Sequence, residues 1–408
     1  MTVSAGIVVV GASAAGLATV EGLRRGGYEG SLTLVGGESH LPYDRPPLSK
    51  QLLSGAWQPE KLRLRTPETY TELQVDHLLG AEAVALDTGG RSVRLADGRQ
   101  LAYTQLVVAT GASARTLPGT EGVAGVHTLR TVEDALALRA ELVARPHLVI
   151  VGGGFVGGGF VGAEAAAVAR GLGCEVTLVT DQDAPLSDAV GVEVGGLLTA
   201  VHREHGVRVV TGSLVREVIT ENGRTAGVRL DDGRILPAGA VLIGIGARPN
   251  TGWLTGSGLS LTNGVDCNAF LHAGHGVWAA GDVASWPDVD SGERLRIEHR
   301  TNASEQGLTV ARNILAGPAA TAFRTVPYVW SDQYDLKIQI YGRTHGADAM
   351  HVVEGSLHER KFTALYLSRG HVTAALGVGM IRPLRALRPL VAARAPWEQA
   401  RQDLPLAG

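Results

Sequence analysis

Short apolar runs that end in glycine recur along the chain, and stretches with helical spacing come after them. The run GIVVV, residues 6–10, leads into Gly11, and a second apolar run, SLTLV, ends at Val35. Between them, residues 17–25 have the spacing of a helix with a buried face. A strand, a glycine turn, a helix and a second strand form a βαβ opening, as at the start of a parallel sheet.

The same order returns in the middle of the chain. The apolar run LVIV leads into a glycine-rich stretch, a helix is predicted at roughly 163–170, and the run CEVTLV ends at Val179. Two openings of this kind predict two dinucleotide-binding folds in one chain.

The second opening carries the same five residues twice. In VGGGFVGGGFVGAE, residues 151–164, the sequence GGFVG ends at Gly157 and again at Gly162. A GxGxxG sequence after a strand makes a tight turn, lets backbone approach a pyrophosphate and aims a helix N-terminus at it. Two overlapping matches to this template are present, namely Gly152, Gly154 and Gly157, and Gly157, Gly159 and Gly162.

Two features favour the second copy as the phosphate-binding loop. The first opening spans 24 positions from Gly11 to Val35, whereas in the second opening Val179 lies 22 positions after Gly157 but 27 after Gly152. A helix that began at Gly157 would also contain three more glycines, each costing about 1 kcal/mol relative to alanine. A longer loop costs less, because closure entropy grows slowly with length. The first copy remains the alternative, since LVIV leads directly into it.

Composition limits the class of protein. Hydrophobic residues make up 45% of the 408 residues and charged residues 19%, which fits a globular protein of two or three domains. The net charge is −3 without runs of like charge, so we expect neither a nucleic-acid partner nor a membrane surface. No stretch reaches the roughly eighteen apolar residues of a membrane span. We predict a cytoplasmic protein with no metal site.

The cysteines limit the redox chemistry. Cys174 and Cys267 are far apart in the sequence and form no CxxC or CxxxxC motif. This spacing excludes a local redox-active dithiol. We predict two buried, unreactive thiols.

Three later apolar runs also end in glycine. LVVATGAS, residues 106–113, and VLIGIGARPN, residues 241–250, each have the pattern of a strand and a glycine turn, as at a crossover between domains. GVWAAGDVAS ends a buried strand at Gly281 and Asp282, where a carboxylate can accept a hydrogen bond from a ligand hydroxyl. The order of these runs is more informative than any one of them.

Longer motifs accompany these runs: YDRPPLSK at 43–50, LRTVEDA at 129–135, GARPN, AAGDVA and PYVWSDQ at 327–333. With them the chain resembles, nearly from end to end, the FAD-dependent ferredoxin reductases of the putidaredoxin reductase and dioxygenase reductase type, which are glutathione-reductase-like flavoproteins. The resemblance implies an α/β fold with two Rossmann-like dinucleotide-binding domains, for FAD and NAD, plus a C-terminal α+β domain. The implied domains are an FAD-binding domain in two segments, 1–114 and 244–321, an NAD-binding domain, 115–243, and a C-terminal domain, 322–408.

The resemblance also implies the FAD contacts. Glu38 would bind the adenosine ribose and Asp282 the ribityl hydroxyls. Ser13 stands where the family often has its middle glycine, and it is small enough for close approach of the pyrophosphate. The implied pyrophosphate turn is Gly11, Ser13, Ala14, Ala15 and Gly16, and the remaining contacts are Arg45, Lys50, Ala83, Ala109, Thr110, Gly111, Arg130, Gly281 and His299.

For NAD, the resemblance implies the duplicated glycines and two further residues. Asp181 comes after the second strand of its unit, where a carboxylate binds the ribose 2′-hydroxyl and repels a 2′-phosphate. NADH is therefore expected rather than NADPH, although the usual acid of the family falls at Thr180. The full set is Gly152, Gly154, Gly157, Gly159, Gly162, Asp181 and Gly246.

Three residues are implied to act on the flavin. Lys50 and Glu164 match a lysine–glutamate pair of the family near flavin N5, and Trp330 is placed against the isoalloxazine. A partner carboxylate keeps a buried lysine charged, so this pair is expected to orient and tune rather than to transfer protons.

A helix is expected after Glu298, with its N-terminus aimed at flavin N1. Asn302 and Glu305 have the spacing of a capping box. The positive end of the helix would stabilise negative charge on the flavin. The family often has tryptophan where this chain has Arg300.

The electron acceptor is inferred from the absence of thiols in the motifs. SHLPYDRPP holds neither the cysteine pair of disulfide reductases nor the single cysteine of coenzyme A disulfide reductases and NADH oxidases. The resemblance therefore implies a [2Fe-2S] ferredoxin that feeds a cytochrome P450 or a ring-hydroxylating oxygenase. A basic cluster near the C-terminus could steer its docking, although a solvated helix face explains the same residues, Arg382, Arg385, Arg388 and Arg394.

Two other functions stay open at this point. A rubredoxin reductase would use the same mechanism with a different partner. A non-catalytic flavin-binding protein would result if the duplicated loop blocked NADH.

Overall fold

The computed structural model describes residues 6–152, 159–402 and 404. The chain divides into two compact units. The first comprises the chain up to Asp44, Glu60–Ser113 and Arg248–Thr325. The second comprises Arg45–Pro59, Ala114–Ala247 and the chain from Val326. The predicted domain boundaries stay a prediction.

The first unit is built on a largely parallel sheet. Its central strand, Gly6–Val10, is buried at all five positions and pairs in parallel with Leu32–Gly36 and Gln100–Val108. Burial on both faces explains why this strand is a continuous apolar run rather than an alternating one. The outer strands are Asp76–Leu79 on one side and Val277–Ala279 with His272–Gly274 on the other.

Two helices of the first unit pack closely against each other. The helix Ala14–Arg25 lies against Arg300–Ala316, and a Cβ atom built on Gly307 would lie 2.4 Å from the carbonyl oxygen of Ala15. Glycine is therefore required at that crossing. The other elements of this unit are the helices Pro67–Glu72, Gly252–Leu254 and Gly317–Ala319 and the strands Ala83–Asp87, Ser92–Leu95, Val265–Asp266, Ala284–Pro287 and Arg294–Leu295.

The second unit contains another parallel sheet. The strand His147–Val151 pairs with Glu175–Val179 on one side and with Ala240–Ile243 on the other. Val207–Val210 and Val126–His127 form the edges. The helices that accompany this sheet are Val132–Val143, Gly159–Gly171 and Ser187–Glu204, and a separate antiparallel sheet contains Val215–Glu221, Arg224–Leu230 and Ile235–Pro237.

The C-terminal part of the second unit is an antiparallel sheet of five strands. Its order is Tyr328–Gln333, Leu336–Gly342, His371–Val378, Lys361–Ser368 and Ala349–Ser356, and the helices Ile381–Ala392 and Trp397–Ala400 come after it. The helix Ser187–Glu204 breaks at Gly191, where φ is 80°. The backbone oxygens of Ala189 and Val190 accept hydrogen bonds there from the hydroxyls of Thr344, which follows the strand Leu336–Gly342, and of Tyr366, which is on the sheet. These side chains satisfy carbonyls at the break in the helix.

The predicted α/β class with its two βαβ openings is confirmed, and helix starts differ from prediction. The first helix begins at Ala14 and the second at Gly159, three and four residues before the predicted starts. The first helix starts with the small residues Ala14, Ala15 and Gly16, which give little apolar periodicity. In the second, Gly159 and Gly162 lower the helix propensity of the described start. Short segments also include the turns Leu48–Leu52 and Pro59–Leu62 and the strands Ala112–Ala114 and Ala247–Pro249. Among the described residues, no helix is long and apolar enough to cross a membrane.

Candidate nucleotide and electron-transfer sites

The glycine turn of the first unit is closed to side chains. Gly11 has φ +123°, and a Cβ there would lie 2.0 Å from the carbonyl oxygen of Ala109. A Cβ on Gly16 would lie 1.9 Å from the oxygen of Gly11. Ser13 is the extended residue before the helix, and its side chain makes no capping bond. The turn therefore presents backbone and a helix N-terminus, a combination suited to a pyrophosphate.

Two predicted FAD contacts lie near the end of the second strand of this unit. Glu38 comes just after the strand Leu32–Gly36 and accepts a hydrogen bond from the Tyr43 hydroxyl. Ala83 begins the strand Ala83–Asp87 and is buried. The hydrogen bond fixes the Glu38 carboxylate beside Tyr43, the first residue of the YDRPPLSK motif.

The third apolar run ends as the sequence predicts. Gly281 has φ +81°, and its N–H donates to Oε1 of Gln306 at 2.7 Å. Asp282 comes next, and burial lowers the pKa of the neighbouring His299 to about 4, against the opposing pull of the Asp282 charge. His299 is therefore a neutral imidazole near neutral pH.

Thr110, in the run 106–113, forms hydrogen bonds with Asn250, in the run 241–250. Its hydroxyl donates to the Asn250 oxygen at 2.9 Å, and the Asn250 amide donates back to the Thr110 oxygen at 2.9 Å. Asn250 N–H also donates to the oxygen of Gly111 at 3.0 Å. These bonds hold the ATG and GARPN motifs together.

The helix Arg300–Ala316 does not have the predicted capping box. It begins after His299 with no side-chain cap, so Asn302 lies inside the helix, where its amide donates to the Ile297 oxygen at 3.2 Å. Glu305 accepts instead from Thr325. The prediction was wrong because the spacing matched a box that starts three residues too late. Arg300, at the tryptophan position of the family, pairs with Asp44.

Two buried polar atoms lie on this helix without a hydrogen-bond partner among the described residues. They are Oδ1 of Asn302 and Nε2 of Gln306. Buried polar atoms are normally satisfied, and Gln306 also holds Gly281 in place. An uncapped helix N-terminus with unsatisfied polar atoms fits a polar ligand such as FAD.

In the second unit, the turn after the first strand is at Gly152. This residue has φ +119°, and a Cβ there would lie 2.0 Å from the Gly244 oxygen. The helix begins at Gly159 and contains Gly162, whose Cβ would lie 3.2 Å from the Ile150 side chain. Gly154 and Gly157 lie outside the described residues. Gly152 therefore forms the turn at the strand end, and Gly159 and Gly162 lie in the helix. The choice between the two copies stays a prediction.

Lys50 and Glu164 form a buried ion pair. Lys50 Nζ lies 2.9 Å from Glu164 Oε2, and the side chains are 10% and 4% exposed. Lys50 sits in the π-helical turn Leu48–Leu52, a rare geometry that is frequent at functional sites. Glu164 is in the helix Gly159–Gly171. The helix start at Gly159 places Glu164 in its second turn, which faces Lys50.

Two serines complete the surroundings of this carboxylate. Ser49 donates to Oε2 of Glu164, and Ser331 donates to Oε1 at 2.8 Å. Neither serine was predicted, although both stand next to a predicted residue, in YDRPPLSK and in WSDQ. The predicted residues beside them in these motifs were the sequence signal that could have identified the two serines.

Trp330 lies on the strand Tyr328–Gln333, one position before Ser331. Successive side chains of a strand point to opposite faces, so Trp330 and Ser331 face different ways. Ser331 is fully buried, whereas Trp330 is half-buried and its ring stacks on Tyr328 at 5.7 Å. Trp330 is therefore not a plain core residue.

The other predicted residues of the second unit are Arg45, Arg130, Asp181 and Gly246. Arg45 Nη1 donates to the Arg130 oxygen at 2.6 Å, and Arg130 N–H bonds to Asp134, a member of the capping box of Val132–Val143. Asp181 is exposed after the strand Glu175–Val179. Gly246 has φ +98°.

The predicted thiol state is confirmed. Cys174 and Cys267 are buried and not in disulfides, and burial raises the pKa of Cys267 to about 12. Such thiols stay protonated and unreactive near neutral pH. The described residues contain no cluster of three or more metal-ligating side chains.

Comparison with known proteins agrees with this geometry. Residues 5–307 match the family model of the pyridine nucleotide-disulphide oxidoreductases, and residues 328–403 match that of the reductase C-terminal domain. Rhodocoxin reductase of Rhodococcus erythropolis is 34% identical over 98% of this chain and 94% of that protein. The ferredoxin–NAD(+) reductase component of the p-cumate 2,3-dioxygenase system of Pseudomonas putida is 39% identical over 88% of this chain and 86% of that protein.

A solved structure extends the likeness to three dimensions. The reductase in the crystal structure of the covalent putidaredoxin reductase–putidaredoxin complex matches with a TM-score of 0.90 and 33% identity, over 97% of this chain and 94% of that chain. Fold and sites together define an FAD- and NAD-using oxidoreductase. Within that class, the chain belongs to the ferredoxin reductases of the putidaredoxin reductase type.

Proposed function

We propose that the protein takes electrons from NADH and passes them through FAD to a [2Fe-2S] ferredoxin that serves a cytochrome P450 or a ring-hydroxylating oxygenase. When bound, FAD accepts a hydride and releases electrons singly. The buried Lys50–Glu164 pair carries the proposal, in a chain whose two thiols are both buried and unreactive. Without a reactive thiol, a non-thiol acceptor is the chemically consistent choice.

The first unit is proposed to hold FAD. Gly11 and Gly16 keep the turn free of side chains, so backbone N–H groups can approach a pyrophosphate. Glu38 and Asp282 supply carboxylates that accept from hydroxyl groups. The buried amide atoms of the helix Arg300–Ala316 offer further polar partners.

The second unit is proposed to bind NADH. Gly152 supplies the close-approach turn, and the helix Gly159–Gly171 supplies an N-terminus for phosphate. The exposed Asp181 carboxylate would accept from a ribose 2′-hydroxyl and repel a 2′-phosphate, which favours NADH over NADPH.

Lys50 is proposed to act electrostatically. Its ammonium pairs with the Glu164 carboxylate, and the hydrogen bonds from Ser49 and Ser331 hold that carboxylate in place. A fixed positive charge in a buried setting stabilises negative charge that develops during hydride transfer. Trp330 is proposed to offer its half-buried ring as an aromatic face.

The acceptor is proposed to dock with help from the basic cluster. All four arginines of the cluster are exposed, and three lie on the helix Ile381–Ala392, whose buried side chains are leucine and valine. Regularly spaced positive charges on one helix steer an acidic partner. The residues are Arg382, Arg385, Arg388 and Arg394.

A cytoplasmic location is part of the proposal. Cys174 and Cys267 are both outside disulfides. Reducing compartments preserve thiols in this state.

Anaerobic mixing of the FAD-loaded protein with NADH tests the function. We expect NADH to bleach the flavin absorbance, NADPH to do so more slowly, and an added [2Fe-2S] ferredoxin to be reduced faster than a rubredoxin. Intact FAD absorbance after NADH would favour the non-catalytic alternative. Faster reduction of rubredoxin would favour the alternative partner.

A further inference from the structure

A chain of buried hydrogen bonds continues from the Glu164 carboxylate. Ser331 Oγ lies 2.8 Å from Glu164 Oε1, and Gln333 Nε2 lies 3.2 Å from Ser331 Oγ. Gln333 Oε1 lies 3.1 Å from His202 Nε2, and His202 Nδ1 lies 3.0 Å from the Tyr334 hydroxyl. Glu164, Ser331, Gln333 and His202 are each at most 3% exposed. The chain therefore runs through the interior of the second unit.

The carboxylate fixes the direction of these bonds. An ionised carboxylate only accepts, so the Ser331 hydroxyl donates its one proton to Glu164. The Ser331 oxygen then accepts from the Gln333 NH₂ group, which turns the Gln333 carbonyl toward His202. A carbonyl only accepts, so the proton of His202 is on Nε2.

The neutral state of His202 fixes the last bond. Burial lowers the pKa of His202 to about 4, so the ring is neutral near neutral pH. With Nε2 protonated, Nδ1 is an acceptor, and the Tyr334 hydroxyl donates to it. Burial raises the pKa of Tyr334 to about 12, so the hydroxyl keeps its proton. Every donor in the chain points toward Glu164.

The backbone at Tyr334 supports a role for its side chain. Tyr334 has φ 55° in the two-residue turn between the strands Tyr328–Gln333 and Leu336–Gly342. Asparagine or glycine is favoured at such a position. The tyrosine ring stacks on His205 at 3.7 Å with an interplanar angle of 15°. The turn does not require a tyrosine, whereas the stacking and the bond to His202 use one.

We propose that Gln333 and His202 are positioning residues for the Lys50–Glu164 pair. They allow one orientation of the Ser331 hydroxyl and, through it, one placement of the Glu164 carboxylate. The value of this placement for hydride transfer rests on the proposed function. The direction of the chain does not, because it is set by the hydrogen bonds between Glu164 and Tyr334 and by the neutral state of His202.

The tautomer of His202 is the first test. Nitrogen NMR of ¹⁵N-histidine-labelled holoenzyme, with the signal assigned by its loss in His202→Gln, should show a neutral ring protonated on Nε2 between pH 6 and 8. A ring protonated on Nδ1 would reverse the chain and overturn the proposal. This measurement decides the point even if NADH does not reduce the flavin.

The second test replaces the central amide. In Gln333→Glu, the single proton of Ser331 cannot serve two carboxylates, so we expect His202 to become doubly protonated near pH 7. Flavin reduction at saturating NADH should fall about tenfold or more, with the Kd for NADH and the FAD content little changed. Gln333→Leu, which lacks the donor but adds no charge, should also slow reduction and leave His202 neutral.

Thr363→Val is the matched control. Thr363 is 1% exposed in the same C-terminal sheet, and its hydroxyl has no hydrogen-bond partner among the described residues. In the Thr363→Val variant, the rate of flavin reduction and the reduction potential of the bound FAD should match those of the parent. Slowing in Thr363→Val equal to that in both Gln333 variants, with an unchanged His202 signal in Gln333→Glu, would show general loosening of the sheet and refute the positioning role.

Discussion

Gly11 and Gly152 occupy the same place in two βαβ openings, one in each unit of the molecule. Their φ angles are +123° and +119°, and in each case a Cβ would lie 2.0 Å from a backbone oxygen, of Ala109 or of Gly244. The two openings thus share one feature at the strand end, a glycine that a backbone oxygen approaches closely. This requirement for glycine comes from the segment after a neighbouring strand and not from the later glycines.

The openings differ in what the structure describes after this turn. The first helix begins three residues after Gly11, whereas the helix of the second opening is described from Gly159 onward. A Cβ on Gly16 would lie 1.9 Å from the Gly11 oxygen, whereas one on Gly162 would lie 3.9 Å from the Gly152 oxygen. In each glycine motif, a close contact beside the sheet requires the first glycine, and the last glycine lies in the helix.

The contrast between the openings bears on the choice between the two glycine copies, which stays a prediction. The sequence favours Gly157, Gly159 and Gly162 as one loop, whereas in the structure Gly159 and Gly162 lie in the helix and the turn at the strand end is at Gly152. Helix propensity counted against glycines inside the helix, yet Gly159 and Gly162 both lie in it. Neither helix propensity nor loop entropy accounts for the close contact of Gly152 with Gly244.

The largest effects should come from filling the two turns. Gly11→Ala places a Cβ against a backbone oxygen at positive φ, so we expect a loss of about 3 kcal/mol in stability and most of the bound FAD. Gly152→Ala should instead keep FAD and weaken NADH binding more than tenfold. Absorbance spectra and NADH titrations measure both.

The controls for this pair are glycines at positive φ with open space around them. Gly80 in the first unit and Gly212 in the second have no atom within 4 Å of a built Cβ. Alanine at either position should cost only backbone strain, about 1 kcal/mol. Equal cofactor loss in Gly80→Ala and Gly11→Ala would mean that the close contact is unimportant.

The next largest effect should come from Lys50, which pairs with Glu164 on the helix Gly159–Gly171. Lys50→Met removes the charge beside Glu164, and we expect flavin reduction by NADH to slow about 100-fold because a preorganised charge is lost. FAD retention should change less. Stopped-flow traces that match the parent would remove Lys50 from the mechanism.

A smaller effect is expected from removing the repeat. Deletion of Phe155 to Gly159 leaves VGGGFVGAE, one GxGxxG with Glu164 two residues past its last glycine. Because Glu164 already contacts Lys50, the apparent NADH affinity should be preserved or improved, by less than tenfold, and FAD content should be unchanged. A deletion variant that folds and holds FAD but is not reduced would show that the extra residues have become part of the site.

The smallest effect on electron transfer should come from the thiols, one in each unit. In Cys174→Ser/Cys267→Ser, ferredoxin reduction should stay within about twofold of the parent, since both thiols are buried and neither is in the ion pair. Two buried hydroxyls should lower stability by about 1–3 kcal/mol each. Loss of ferredoxin reduction in a folded, FAD-loaded double variant would reopen a thiol mechanism.

The predictable parts of the fold were those with strong local patterns. Buried strands such as Gly6–Val10 are continuous apolar runs, and their glycine turns come directly after them. The capping box at Asn302 failed because its spacing occurs by chance in a helix that starts at Arg300. Capping depends on where the backbone leaves the helix, and spacing alone does not locate that point.

The sequence by itself determined the two openings, the thiol chemistry and the residues of the Lys50–Glu164 pair, since these depend on apolar runs, on residue type and on motifs. Only the tertiary structure showed that the strand-end turn at Gly152 lies against the Gly244 oxygen, and that the Glu164 carboxylate accepts a hydrogen bond from Ser331. The physical reason is the same in both cases. A close backbone approach or a buried hydrogen bond joins residues far apart in the chain, so packing and not local pattern selects them.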